Sequence, residues 1–175
     1  LDQNGSYRWM LARGLAIRDR TGKATRIAGS LSDITESKLT EHRLLKNALY
    51  DTITNLPNRA LFTDRLIQAL TRSSRQPENL FALMFLDFDR FKLINDSHGH
   101  SFGDNILIKI GERLRDCVRG VDTVARLGGD EFAILLNDLD SDGAAEEVAS
   151  RINHSLAQPF LHSDCEVLAN ASIGI

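Results

Sequence analysis

Leu80–Leu86 is an unbroken apolar run that stops at Asp87. A run of this kind, ended abruptly by charge, reads as a strand, Leu80–Phe88, buried at the centre of a sheet. Such a strand needs packed layers around it, and the neighbouring sequence supplies them. Ala60–Ser73 is a predicted helix with Leu61, Leu66, Ile67 and Leu70 inward. Asn105–Arg119 is a second, with Ile106, Ile108, Ile110, Leu114 and Val118 as its apolar set. Gly143–Leu156 is a third, after a turn at Asp138–Gly143. Glu166–Ile175 reads as a final strand. The pattern predicts an α+β domain, a sheet with helices packed against it.

Thr123–Leu127 and Phe132–Leu136 are two further β-compatible runs, split by Gly128-Gly129-Asp130-Glu131. They predict a hairpin. Its tip carries two adjacent carboxylates, and its glycines admit positive φ and let a large ligand approach the backbone. The tip of the central strand is acidic too. Asp87 and Asp89 alternate by two and can face one side at the strand end. A charge there is costly unless it is paired or metal-bound; Asp89 alternatively caps the next helix. Lys92 and Asn95 follow at helical spacing, and Ser97–Asp104 reads as a polar loop ending in another carboxylate.

This set is chemically coherent. Carboxylates from separate strands suit magnesium, a hard cation that takes oxygen ligands and substrate phosphates. Lys92 can meet a phosphate as a point charge. An Asn amide and an Asp carboxylate can read a purine edge, and the carboxylate accepts from N–H groups that guanine has and adenine lacks. The combination points to GTP rather than ATP. No Walker-type Gly-x-x-x-x-Gly-Lys-Ser/Thr is present, so the chain is not a P-loop NTPase.

With these motifs in order, the chain from Asp51 onward resembles the GGDEF diguanylate cyclase family. The resemblance opens at Asp51-Thr52-Ile53-Thr54-Asn55-Leu56-Pro57-Asn58-Arg59, where Asn55 stands for the family's usual glycine. It continues through Asp87-Phe88-Asp89-Arg90-Phe91-Lys92, Asn95-Asp96, Gly99-His100 and Gly103-Asp104 to the signature turn. It implies a palm-like, mainly antiparallel sheet and condensation of two GTP into cyclic di-GMP and pyrophosphate. It implies Asp87, the Phe88 backbone carbonyl and Asp130 as ligands of Mg2+ (or Mn2+). Asp130 and Glu131 are then catalytic, Glu131 acting with the metal and the reacting hydroxyl. Asn95 and Asp104 read guanine, Lys92 contacts phosphate, and the backbone of Gly128 and Gly129 lies near the nucleotide. One domain binds one GTP in this family, so catalysis implies a homodimer. Arg119 and Asp122 match the family's R-x-x-D site for inhibition by cyclic di-GMP; the plainer reading is a helix-end arginine and a turn aspartate. Arg126 reads as structural or as phosphate-adjacent. The family continues into a helix and strand with a basic phosphate clamp, so the expectation is a C-terminally truncated domain over residues 51–175. Leu156–Phe160 with Glu166–Ile175 is similar to GGDEF domains that precede an EAL phosphodiesterase domain. That gives the other reading, a catalytically silent module that binds GTP or cyclic di-GMP and regulates its neighbour.

The first part of the chain differs. Ser6–Ile17 and Ala24–Ser32 form a predicted hairpin around Asp19-Arg20-Thr21-Gly22-Lys23. With Asn4-Gly5-Ser6-Tyr7-Arg8-Trp9 and Asp33-Ile34-Thr35, residues 1–35 resemble the C-terminal part of a PAS sensor domain. Residues 36–50 read as a linker helix with an apolar stripe of Leu39, Leu45, Ala48 and Leu49. Net charge is −3, which gives no electrostatic case for nucleic-acid binding. Cys117 and Cys165 lack metal spacing and read as reduced, buried or half-buried thiols; His98 and His100 read as loop residues. No apolar stretch is long enough to span a bilayer. The expectation is a cytoplasmic output domain, with any membrane anchor upstream.

Overall fold

In the computed structural model the chain divides into two units, Leu1–Lys46 and Asn47–Ile175. Residues 7–76, 78–141, 143–162 and 165–175 are described. Asn4, Gly5 and Ser6 of the PAS-like motif, Asp142 of the turn before the third predicted helix, and the side chain of Cys165 lie outside the described residues.

The first unit is a hairpin of β1 (Met10–Arg18) and β2 (Ala24–Asp33), with Met10 opposite Asp33 and Ala16 opposite Ile27. Asp19 shapes its turn, accepting from the backbone of Thr21 and Lys23 and from the Thr21 hydroxyl. These bonds, the Thr21 hydroxyl first, hold its carboxyl below the usual range. Every residue of both strands is exposed. Helix α1 (Thr35–Leu49) follows, begins one residue before the expected linker, and buries none of its side chains. The Thr35 hydroxyl, the Thr35 backbone N–H and Arg8 lower the Asp33 carboxyl to about 2.

The second unit holds α2 (Arg59–Arg75), β3 (Leu80–Phe88), α3 (Phe91–His98), α4 (His100–Asp116), β4 (Thr123–Gly128), β5 (Glu131–Leu139), α5 (Ala144–Leu156), β6 (Phe160–His162), β7 (Cys165–Val167) and β8 (Ala171–Gly174). A four-stranded antiparallel sheet runs in the order β4-β5-β3-β8. The apolar run is thus an inner strand, as its composition requires. Its even positions Met84, Leu86 and Phe88 are at most 1% exposed and share a core with Ile106, Ile110 and Leu114 of α4 and Ile152 of α5. The odd positions Phe81 and Leu83 pack with Phe62 and Ala69 of α2 and with Ala133 and Leu135 of β5. Both faces are therefore covered, but the α2 layer ends early: Phe85 is 51% exposed and Asp87 is exposed beyond it.

Several expectations are corrected. Helix α2 is anchored by Phe62, Leu66 and Ala69, while Ile67 and Leu70 face outward; apolar residues on several sides of the helix left its phase ambiguous. Ile108 of α4 is half-buried and Leu107 takes its place in the core. Ser97–Asp104 is not a loop: α3 ends at His98, the chain turns at Gly99 (φ 86°), and α4 begins at His100. His98 stacks on Phe102 with ring centroids 4.6 Å apart. The final predicted strand is broken into β7 and β8, which belong to different sheets. Between them Leu168 is exposed and Ala169 buried, where the chain passes from one sheet to the other.

Candidate functional site

Asp87 stands directly opposite Glu131 on β5 and opposite Ser172 on β8. Residues paired across antiparallel strands point to the same face, with Cα atoms about 4.5–5.5 Å apart. Asp87, Glu131 and Ser172 therefore share the face that α2 leaves uncovered. The Ser172 hydroxyl donates to Asp89 Oδ1 at 3.2 Å, so this second carboxylate stays beside the same face. Asp89 does not cap the next helix; Arg90 holds the cap position in a left-handed conformation (φ 57°) without a side-chain cap bond. The Phe88 ring is buried edge-to-face against Phe132, centroids 5.5 Å apart, which leaves only its backbone for the site.

Glu131 follows the tight turn Gly129-Asp130. Gly128 and Gly129 have φ of 142° and 55°, values open to glycine at little cost. Arg126 fixes this turn from behind. Its Nε and Nη2 donate to the Gly129 carbonyl at 3.0 and 2.7 Å, and its Nη1 donates to both Asp51 oxygens at 3.0 and 3.1 Å. Arg126 is 7% exposed. Asp51 also accepts from the Thr54 N–H and hydroxyl. Burial pushes the Asp51 carboxyl up, but the Thr54 and Arg126 bonds outweigh it and leave it lowered. Of the two roles open to Arg126 in the sequence, the geometry assigns the structural one. Asn55, beside Asp51 in this segment, has φ of 56°, the left-handed backbone that its family-usual glycine would also take.

Asn95 lies on α3 and Asp104 on the first turns of α4, brought together by the turn at Gly99. Gly103 makes room for the Asn95 amide: a Cβ there would lie 1.9 Å from Asn95 Oδ1. Lys92 is exposed in the first turn of α3.

The side chains of Asp87, Lys92, Asn95, Asp104 and Asp130 make no hydrogen bond or ion pair among the described residues. Asp87 and Asp130 are hard oxygen donors at adjoining strand ends, which fits a divalent cation. Among the described residues no three His, Cys, Asp or Glu side chains gather as a metal site. Magnesium held by one or two carboxylates plus substrate phosphates needs no such cage.

Residues 48–175 match the family model described as diguanylate cyclase, GGDEF domain. The chain belongs to the GGDEF family. Its GGDEF domain is 46% identical over 132 residues to the bifunctional diguanylate cyclase/cyclic di-GMP phosphodiesterase MucR of Pseudomonas aeruginosa, covering 75% of this chain and 19% of MucR. It is 46% identical over 133 residues to the diguanylate cyclase TpbB of Pseudomonas aeruginosa, covering 75% of this chain and 30% of TpbB. The chain thus spans less than a third of these curated relatives. Among solved structures, a TpbB (YfiN) fragment from Pseudomonas aeruginosa comprising only the GGDEF domain superposes with a TM-score of 0.68 at 45% identity, covering 71% of this chain and 73% of that one.

The GGDEF domain places Arg119 and Asp122 at the far end of β4 from the signature turn, about 17–20 Å away along the strand. Both Asp122 oxygens accept backbone N–H groups, from Arg119 at 2.8 Å and Asn137 at 3.0 Å. Arg119 extends toward Asp140 at 3.8 Å and lines a cleft of about 420 Å³ with Arg65 and Arg115. Sequence reading gave no role to these two arginines, or to Arg59. Arg59 opens α2, and its Nη2 lies 3.3 Å from Glu131 Oε2. The motif Pro57-Asn58-Arg59 contained the signal, since Asn58 caps α2 by accepting from Ala60 and Leu61 and so sets where Arg59 begins.

Proposed function

We propose that this domain is a diguanylate cyclase that condenses two GTP into cyclic di-GMP and pyrophosphate. The observation that carries the reading is that Asp87, Lys92, Asn95, Asp104 and Asp130 make no hydrogen bond or ion pair among the described residues, in a fold that leaves the sheet face at Asp87 and Glu131 uncovered. Asn95 and Asp104 read the guanine edge and Lys92 contacts phosphate. The Gly128-Gly129 backbone lies against the nucleotide. Asp87, the Phe88 carbonyl and Asp130 hold Mg2+ or Mn2+, which when bound supplies charge stabilisation on the triphosphate. Glu131 takes the proton of the 3′-hydroxyl as its oxygen bonds to the α-phosphorus of the facing GTP. The bond to the β-phosphate oxygen breaks, and pyrophosphate leaves with the electron pair. Each domain holds one GTP, so a two-fold homodimer completes the reaction, and repeating the step closes the ring.

The remaining assignments rest on this reading. Arg119 and Asp122, with the arginine-lined cleft beside them, form the site where cyclic di-GMP inhibits. Residues 1–35 are the end of a PAS sensor, 36–50 a signalling helix and 51–175 the GGDEF domain; the division of the chain at Lys46 supports a boundary within the linker. The domain works in the cytoplasm, and among the described residues no helix is long and apolar enough to cross a membrane. A second reading has one observation behind it. The chain is also 38% identical over 144 residues to PdeR of Escherichia coli, which is named only as a cyclic di-GMP phosphodiesterase and of which it covers 21%, so a silent GGDEF module regulating an EAL-like neighbour is the alternative.

Product formation from GTP and magnesium decides between them, with Glu131→Ala alongside. The cyclase reading expects cyclic di-GMP from the wild-type protein and none from the variant. GTP binding by a dimer that never yields product would favour the silent module.

Gly103→Ala tests the guanine reader separately. The added methyl meets the Asn95 Oδ1 and also crowds Asn95 Cγ at 3.0 Å and the buried Phe91 ring at 3.3 Å, while alanine is the better helix former by about 1 kcal/mol. A small loss of stability is expected, while GTP affinity falls about tenfold, the worth of one lost hydrogen bond to the base. Unchanged affinity by calorimetry would remove Asn95 from the reader.

A further inference from the structure

Arg59 is the described cation that ion-pairs with a carboxylate of the signature turn. Both partners are more than half exposed, at 65% and 58%, so the pair adds little to the fold and breaks easily. Only Nη2 of Arg59 is engaged, by a single 3.3 Å contact to Glu131; its Nε and Nη1 have no partner among the described residues. A guanidinium presents five donors in a planar fork suited to phosphate oxygens. Its backbone is fixed at the start of α2 by the Asn58 cap, and Asn58 is itself tied to the Leu49 carbonyl through its backbone N–H and to the Ala48 carbonyl through its side chain. An under-used guanidinium on a fixed backbone therefore reaches the face that carries Glu131 and, paired with it across the sheet, Asp87. A nucleoside triphosphate would add further negative charge to that face.

We propose that Arg59 is a substrate-binding residue that pairs with Glu131 in the protein alone and passes to the phosphates of an arriving nucleoside triphosphate, releasing Glu131. The inference rests on the cyclase reading of the same site. It makes Glu131 and the triphosphate competitors for one guanidinium, and their exchange ties the freeing of Glu131 to the presence of substrate.

The test is calorimetric binding of GTP and GMP to wild type, Arg59→Lys, Arg59→Ala, Glu131→Gln and the Arg59→Ala/Glu131→Gln double variant. Titrations in EDTA exclude bridging cations. Arg59→Ala is expected to weaken GTP about tenfold or more and to leave GMP nearly unchanged, with Arg59→Lys between. Glu131→Gln is expected to tighten GTP severalfold, and the gain should vanish in the double variant. Equal effects on GTP and GMP, or a Glu131→Gln gain that survives without Arg59, would overturn the proposal while leaving the cyclase reading intact. A wild-type protein that binds no guanine nucleotide in EDTA or with magnesium restored would overturn both.

Discussion

Asp130→Ala is expected to cut cyclic di-GMP formation by roughly 10²–10³-fold, the range for removing one preorganised contact to the reacting charge. The same change should leave stability within about 0.5 kcal/mol of wild type. Asp130 sits in the turn between β4 and β5 and makes no hydrogen bond or ion pair among the described residues, so the fold loses no partner with it. Chromatography of product and thermal melting, run on one preparation, separate the two effects. Full turnover by a folded variant would refute the metal-ligand role. Loss of turnover together with loss of fold would mean that the turn needs its aspartate for shape.

Arg126→Met is expected to have the reverse signature, a loss of stability first. Arg126 is the buried partner of the part-buried Asp51, and removing it leaves that carboxylate with only its Thr54 bonds and takes both side-chain donors from the Gly129 carbonyl. Breaking a fully buried pair from one side costs about 3–5 kcal/mol; with Asp51 part-exposed and still bonded to Thr54 the loss is expected at or below the lower end, about 2–3 kcal/mol, still a large part of the roughly 5–15 kcal/mol that holds a domain folded. Urea unfolding measures it. Arg126→Lys should recover little, because one ammonium cannot span both the Asp51 carboxylate and the Gly129 carbonyl. The pH dependence has a definite sign. The folded Asp51 carboxyl lies below its ordinary value of 3.8. Its contribution is complete above that value and is lost as pH falls through the lowered folded one. Asp51→Asn should therefore flatten the acid limb of the stability curve. Matching acid limbs in variant and wild type would show that Asp51 is not the group responsible.

The parts legible in the sequence were those whose signals are local. β3 has the bounds expected of it because an apolar run met charge at a sharp edge. The β4–β5 hairpin followed from glycines between two β-compatible runs. The glycine rule also misled. Gly99 and Gly103 read as loop punctuation, but Gly99 turns between two helices and Gly103 lies inside α4, where a missing side chain admits Asn95. Arg126 stayed undecided because its partners come from both directions, one three residues on and one 75 residues back. Arg59 lies 72 residues from Glu131, beyond any spacing rule. The carboxylates could be found from sequence, because charge at a strand end is conspicuous; the arginines beside them could not, because contacts between segments distant in sequence are a property of the fold.

Gly103 carries one more consequence. The groove for the Asn95 amide is an absence, a methyl that α4 does not have, and its width is the gap between the short α3 and the longer α4, joined at Gly99. On the cyclase reading, choosiness between purine bases is then adjustable by tilt. Substitutions in the α3–α4 packing, far from any atom that meets the base, would loosen or sharpen nucleotide choice while every recognised signature residue stayed in place. Two GGDEF domains with the same motif could thus differ in fidelity, and their motifs alone would not reveal it.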